Sequence, residues 1–327
     1  MQVTRRKFCT ALGALPLLSL GGVKAQTAAS YPNRPLTLTL IVPPGGVSDS
    51  LFRQLAKSAE PFLGQNVIID YRPGGGSLVG LNYLRSQNPD GYSLAMVGRS
   101  VLSRYWITNQ NIGFHPVEDL TWLSRVYGSA FAVVVRADSP FQSWADVVAY
   151  AKSQPDTLSY GGFTAFGGMT HVAIEDIAQK EGLKMQYIPY KGDADVLQAV
   201  MGGQLDFAVV AGTFKPLAEA GRVRPLVFLT PERQEQYPDV PTMIEAGYPV
   251  TVDASVGIAA PKGLPPDVVA KLEEVIQKAM ATPEFVAVLD HTLQMPTYLD
   301  NQGFTEWAGK QIEVERDIVE RFNLRER

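Results

Sequence analysis

Cysteine is almost missing from this chain: among its 327 residues only Cys9 carries a thiol, ahead of an apolar stretch near the N-terminus. If that stretch is removed, no thiol remains, which excludes disulfide support and any catalysis or metal ligation through sulfur. Histidine is scarce too, with His115, His171 and His291 as the three imidazoles. No pair of them has metal-ligand spacing, and no Gly-x-Ser-x-Gly elbow is present, so neither a metal nor another cofactor is expected and the chain reads as a non-enzyme. An exported serine hydrolase stays as an alternative without a motif. Past the N-terminal stretch no run is long and apolar enough to span a bilayer. Solenoid periods and low-complexity linkers are absent.

Positive charge is also lacking. The formal net charge is -4, and loss of Arg5, Arg6, Lys7 and Lys24 with an N-terminal signal makes it about -8. No basic stripe offsets this, which argues against nucleic acid and anionic membrane surfaces as partners.

The N-terminus carries its own pattern. Thr4 to Phe8 is basic, Ala11 to Gly22 is apolar, and Val23-Lys24-Ala25 is a small-residue cleavage site. Residues 1–25 are therefore read as an export signal of either the ordinary secretory or the twin-arginine type, and the mature chain is expected in the periplasm. The roughly 300 residues that follow are long enough to divide into two lobes.

Along that mature chain, strand-like and helix-like segments alternate, the mark of α/β layers. Strands are predicted at 36–42, 66–71, 93–97, 130–135, 158–161, 185–189, 207–211 and 224–229. Helices are predicted at 50–63, 77–87, 144–153, 170–181, 193–201 and 216–220, with a largely helical tail at 267–280, 283–290 and 305–322. Two glycine-rich breaks stand out, Pro43-Pro44-Gly45-Gly46-Val47-Ser48-Asp49 and Gly74-Gly75-Gly76-Ser77, each leading into a helical run. Ser48 and Asp49 are good N-cap residues, and glycine amides ahead of a helix dipole favour a bound anion. The plainer alternative is that Gly45-Gly46 is a tight turn and the second break only braces the first.

Six segments in order, PNRPLTLTLIVPPGGVSD, LGQNVIIDYRPGGGSLVG, NPDGYSLAMVG, YKGDADVLQAVMGGQLDF, PDVPTMIEAGY and GIAAPKGLP, resemble the receptor family of tripartite tricarboxylate transporters, the Bug receptors. The resemblance covers nearly all of the chain after the signal. It implies a two-lobed Venus-flytrap architecture, each lobe a mixed sheet flanked by helices, with 31–127 plus 250–327 in the first lobe and 128–249 in the second. It further implies a monomer that closes on a small carboxylate, aliphatic or aromatic, and delivers it to membrane permease components. A sensory receptor for a signalling partner would use the same cleft.

A carboxylate taken out of water needs donors in exchange. The amides of Gly45, Gly46, Val47, Ser48 and Asp49 lead the candidates, with Ser48 adding a hydroxyl and Asp49 acting as a cap. Ser77 represents the second break. Arg99, at a position where the family usually has a small or hydroxylic residue, either pairs with a second carboxylate, or is a solvated surface arginine or an ion pair to a neighbouring acid; Ser100 accompanies it. In the second lobe the family likeness points to the loop of Phe163, Thr164, Phe166, Gly167, Gly168 and His171. There the phenylalanines offer an aromatic wall or pack in the core, and His171 caps, packs or touches ligand. Lys191 and Asp206 are read as loop-stabilising, Asp206 by orienting waters or amides.

Overall fold

Leu36, Leu38 and Leu40 alternate with Thr37 and Thr39 in the first strand, and Thr39 is buried along with the leucines. Cover on both faces marks a central strand between helical layers. In the computed structural model, which describes residues 31–108, 110–162 and 166–324, the chain builds β1 (Leu36–Leu40), α1 (Val47–Leu63), β2 (Val67–Tyr71), α2 (Leu78–Arg85), β3 (Ser93–Gly98), α3 (Arg99–Ile107) and β4 (Leu120–Ser129). Next come β5 (Ala132–Arg136), α4 (Trp144–Ser153), β6 (Ser159–Gly162), α5 (Met169–Glu181), β7 (Gln186–Pro189), α6 (Asp193–Met201), β8 (Phe207–Val210), α7 (Lys215–Glu219) and β9 (Val223–Phe228). The chain returns through β10 (Val256–Pro261), α8 (Pro266–Met280), α9 (Pro283–Thr292), β11 (Gln294–Leu299) and α10 (Asn301–Arg321). The export signal expected at 1–25 lies outside the described residues.

Two mixed sheets result, in the orders β11-β4-β10-β3-β1-β2 and β7-β6-β8-β5-β9. In the first, β1, β2 and β3 run parallel and β10 inserts antiparallel between β3 and β4. In the second, β6 pairs parallel with β7 and β8, while β5 is antiparallel to β8 and β9. Strand period sorts the β5 side chains onto two cores: Val133 and Val135 pack with Trp144 and Phe207, whereas Ala132 and Val134 pack with Val196 and Phe214.

Three expectations need correction. Strand β4 falls outside the predicted strands, which begin in this stretch only at 130; Gly128 stays inside β4 opposite Met295, and the chain changes sheets at the buried Ala130 and Phe131. Helix α3 was not anticipated, because Arg99–Ile107 mixes charged, aromatic and β-branched residues with a weak apolar stripe. Strand β11 interrupts the tail expected to be helical. It tolerates Pro296 because it is an edge strand, where a missing N–H costs no ladder bond.

The return strand β10 lies so close to its neighbours that Gly257 has no room for a side chain. A Cβ there would stand 2.2 Å from the Ser124 carbonyl oxygen and 2.4 Å from the Phe304 ring. Gly257→Ala is therefore expected to destabilise the chain by about 1–3 kcal/mol, read as a lower urea midpoint with an unchanged slope.

Candidate ligand-binding cleft

Between the two sheets lies a cavity of about 660 Å³, walled on one side by the β1–α1 loop, the start of α3 and Tyr127, and on the other by Phe131, Met169 and the start of α6. A depression of about 880 Å³ at Tyr190, Gln198 and Gln204 belongs to one lobe alone. The cleft volume falls within the range of small-molecule sites.

The first wall is built around Gly45, whose φ of 96° is accessible to glycine at little cost. Its amide donates to Asp49 Oδ2 at 2.8 Å, and Tyr71 Oη donates to Asp49 Oδ1 at 2.5 Å. Asp49 is thus buried behind the loop and holds it, outside the cavity lining. The N-cap is Gly46, and no side-chain cap is made, so the helix starts before the Ser48-Asp49 pair expected to cap it. Helix geometry leaves the amides of the first turn without intrahelical acceptors, and Gly46, Val47 and Ser48 all line the cavity. Ser48 Oγ lies 2.7 Å from the hydroxyl of the buried Tyr127, whose ionisation burial pushes well above its ordinary value.

Helix α3 brings a second N-terminus to this wall, with Gly98 as N-cap and Arg99 and Ser100 in its first turn. Arg99 lines the cavity, but its guanidinium is already engaged. Nε donates to Glu315 Oε1 of α10, and Nη1 donates to the Asp253 carbonyl at 3.2 Å. Glu315 also accepts from Ser103 Oγ. Of the readings of Arg99, the geometry displays the ion pair, and its burial rules out a solvated surface arginine. Ser77 meets the cleft only through Ser100, Oγ to Oγ at 3.2 Å, and the left-handed Gly74-Gly75-Gly76 loop stays outside the lining.

The second wall carries the starts of α5 at Met169 and of α6 at Asp193 and Ala194, capped by Gly168 and Gly192. Phe163 and Thr164 lie outside the described residues. Phe166 is 59% exposed and rests on the His171 ring at 4.2 Å, outside the cavity lining. Gly167 donates its amide to His171 Nδ1 at 3.0 Å, and neither Gly167 nor Gly168 lines the cavity. His171, 1% exposed between Phe166, Tyr187 and Phe322, fixes the loop from inside, and burial lowers its pKa to about 4. Asp206 precedes β8 and binds the amide and hydroxyl of Ser159 at 2.8 and 3.1 Å. That is the N-terminal end of the sheet's parallel strands, opposite the cavity.

Asp193, Tyr127 and Gln294 line the cleft without having been singled out as ligand contacts. Gly192-Asp193 repeats the glycine-before-helix pattern of Gly46-Val47 and was findable on that ground. Tyr127 and Gln294 lie in strands that only sheet pairing brings to the cavity.

The family model described as tripartite tricarboxylate transporter family receptor matches residues 51–324. The chain belongs to this receptor family. A curated relative, the UPF0065 protein in the gbd 5' region of Cupriavidus necator, is 34% identical, covering 98% of each chain. Among solved structures, a TctC solute binding protein from Polaromonas is 25% identical with a TM-score of 0.75, covering 89% of this chain and 100% of that one. Rpa4515 of R. palustris, solved with adipate, is 25% identical with a TM-score of 0.77, covering 90% of this chain and 98% of that one. The protein is accordingly a periplasmic solute-binding receptor and not an enzyme.

Two outcomes test how this receptor holds its cleft. Removing Glu315 strands a buried guanidinium, so Glu315→Leu is expected to cost about 3–5 kcal/mol, measured by urea unfolding. His171 has an ordinary value of 6.5 and a folded value of about 4, so the folded state favours its neutral form. The stability this gives is full above pH 6.5 and lost as pH falls toward 4. In His171→Asn the pH dependence of the urea midpoint over that window is expected to flatten by up to one proton.

Proposed function

We propose that this receptor captures a small carboxylate between its lobes and delivers it, in the closed form, to the membrane component of a tripartite transporter after export directed by residues 1–25. The observation that carries the reading is the first turn of α1, where Gly46, Val47 and Ser48 line the cavity and their amides have no intrahelical acceptors. The starts of α3, α5 and α6 add three more positive dipole ends around the same space. An anion there gains charge-assisted hydrogen bonds from donors that are already placed, without reorganising the backbone. Arg99, compensated by Glu315, contributes shape and field more than a free positive charge. Its salt bridge favours a ligand held mainly by amides and hydroxyls. The adipate held by the R. palustris relative is a carboxylate of this kind. Delivery follows from closure, since a membrane partner distinguishes loaded from empty receptor only by a difference in conformation.

Gly46 supplies the test. Its φ is -88°, and a Cβ would meet nothing within 4 Å. Gly46→Leu is therefore expected to leave the melting temperature of the empty protein within a degree or two while weakening carboxylate binding about tenfold or more, measured by calorimetry on hits from a thermal-shift screen of mono-, di- and tricarboxylates. Unchanged affinity would place the anion elsewhere. Uptake of the bound carboxylate by cells with the chain deleted and restored tests delivery.

A further inference from the structure

The cleft presents acceptors as well as donors. Gln294 is 5% exposed and its Nε2 donates to the Thr292 carbonyl at 2.7 Å. A carbonyl oxygen only accepts, so this bond fixes the orientation of the amide and leaves Oε1 as a buried atom without a partner. Asp193, first residue of α6, uses Oδ2 to accept from the Ala211 amide at 3.2 Å and from Thr213 Oγ1 at 3.0 Å. Its Oδ1 is buried and also has no partner. Both side chains line the same cavity.

Gly212 lets the segments that carry these two acceptors pack against each other. A Cβ on it would stand 2.2 Å from the Thr292 carbonyl oxygen, so the absence of a side chain lets the loop that partners Asp193 seat against the segment that carries Gln294. No counter-charge is bound to Asp193 among the described ion pairs: the cavity's Arg99 is committed to Glu315, and Lys191, which lines the same cavity two residues before Asp193, is exposed and is not paired with it. Burial pushes the Asp193 carboxyl up to about 6, so its ionised form at neutral pH is held at a cost that an adjacent cation would relieve.

We propose that Asp193 and Gln294 determine the specificity of this cleft, and that its ligand is a small carboxylate bearing an ammonium group. The inference rests on the carboxylate reading above and names the ligand class for that site. A plain dicarboxylate, ionised at neutral pH, has no N–H or O–H to give, and would leave both buried acceptors unpaired. A hydroxyl satisfies one acceptor without offsetting the charge of Asp193. An ammonium group brings three donors and the missing positive charge, while its carboxylate takes the amides at the start of α1.

The test is calorimetry on the mature chain with three acids of one length: glutarate, 2-hydroxyglutarate and glutamate, repeated with the six-carbon set. The amino acid is expected to bind about tenfold or more tightly than the unsubstituted acid. In Asp193→Asn the side-chain carbonyl can keep the Ala211 and Thr213 bonds while an NH2 replaces Oδ1, and the ratio of the two affinities is expected to fall to near unity. Equal or tighter binding of the unsubstituted acid to the wild type, a hydroxy acid outranking the amino acid, or an unchanged ratio in a folded variant would each overturn the proposal. If the variant does not fold, the wild-type ranking decides alone. Carboxylate binding without an amino preference removes this inference and leaves the receptor reading standing, whereas a folded protein that binds none of these acids removes both.

Discussion

The first turn of a helix carries amide groups that its own backbone cannot satisfy, and the cleft of this protein is arranged around that deficit. A parallel strand delivers the chain to the carboxyl edge of its sheet, and the helix that follows begins there with its amides and dipole facing outward. Four such beginnings, at Val47, Arg99, Met169 and Asp193, line one cavity because the two sheets face each other with their carboxyl edges. The glycine caps Gly46, Gly98, Gly168 and Gly192 keep these amides uncovered, since none of them has a side chain to spend on the helix start.

Holding such a surface in place requires bonds that lie behind it. Asp49 ties back the first loop, His171 ties back the loop before α5, and Glu315 reaches from α10 to neutralise Arg99 at the start of α3. Each of these groups has the polarity of a ligand contact and is spent on structure. The same C-terminal helix continues to the second lobe, where Arg321 meets Asp176 of α5 at 2.8 Å. One helix therefore braces both walls, a contact that a change in the angle between the lobes must alter.

Membership of the receptor family accounts for the architecture. Donors at the helix starts suit any small carboxylate, so they give affinity without choosing among ligands. Discrimination has to come from groups that a wrong ligand leaves unpaired, because an unsatisfied buried acceptor penalises the complex more than an added contact rewards it. Asp193 and Gln294 are placed to act in that way.

The strand and helix alternation, the glycine breaks and the ordered family segments were legible in the sequence because each depends on residues near one another in the chain. Leucine alternation marks β1, and a glycine before an apolar run marks the starts of α1 and α6, whatever the rest of the molecule does. Helix α3 and strand β11 were not legible, since Arg99–Ile107 and Gln294–Leu299 take their form from packing against α10 and β4 rather than from local preference. The fate of Arg99 was decided 216 residues away at Glu315, and the acceptor character of the cleft by the close approach of Gly212 to Thr292. By itself the sequence determined which residue types were available at each loop. Only the tertiary structure decided which of them were consumed as partners of one another and which remained unpaired, because hydrogen bonding and charge compensation are settled by distance in space.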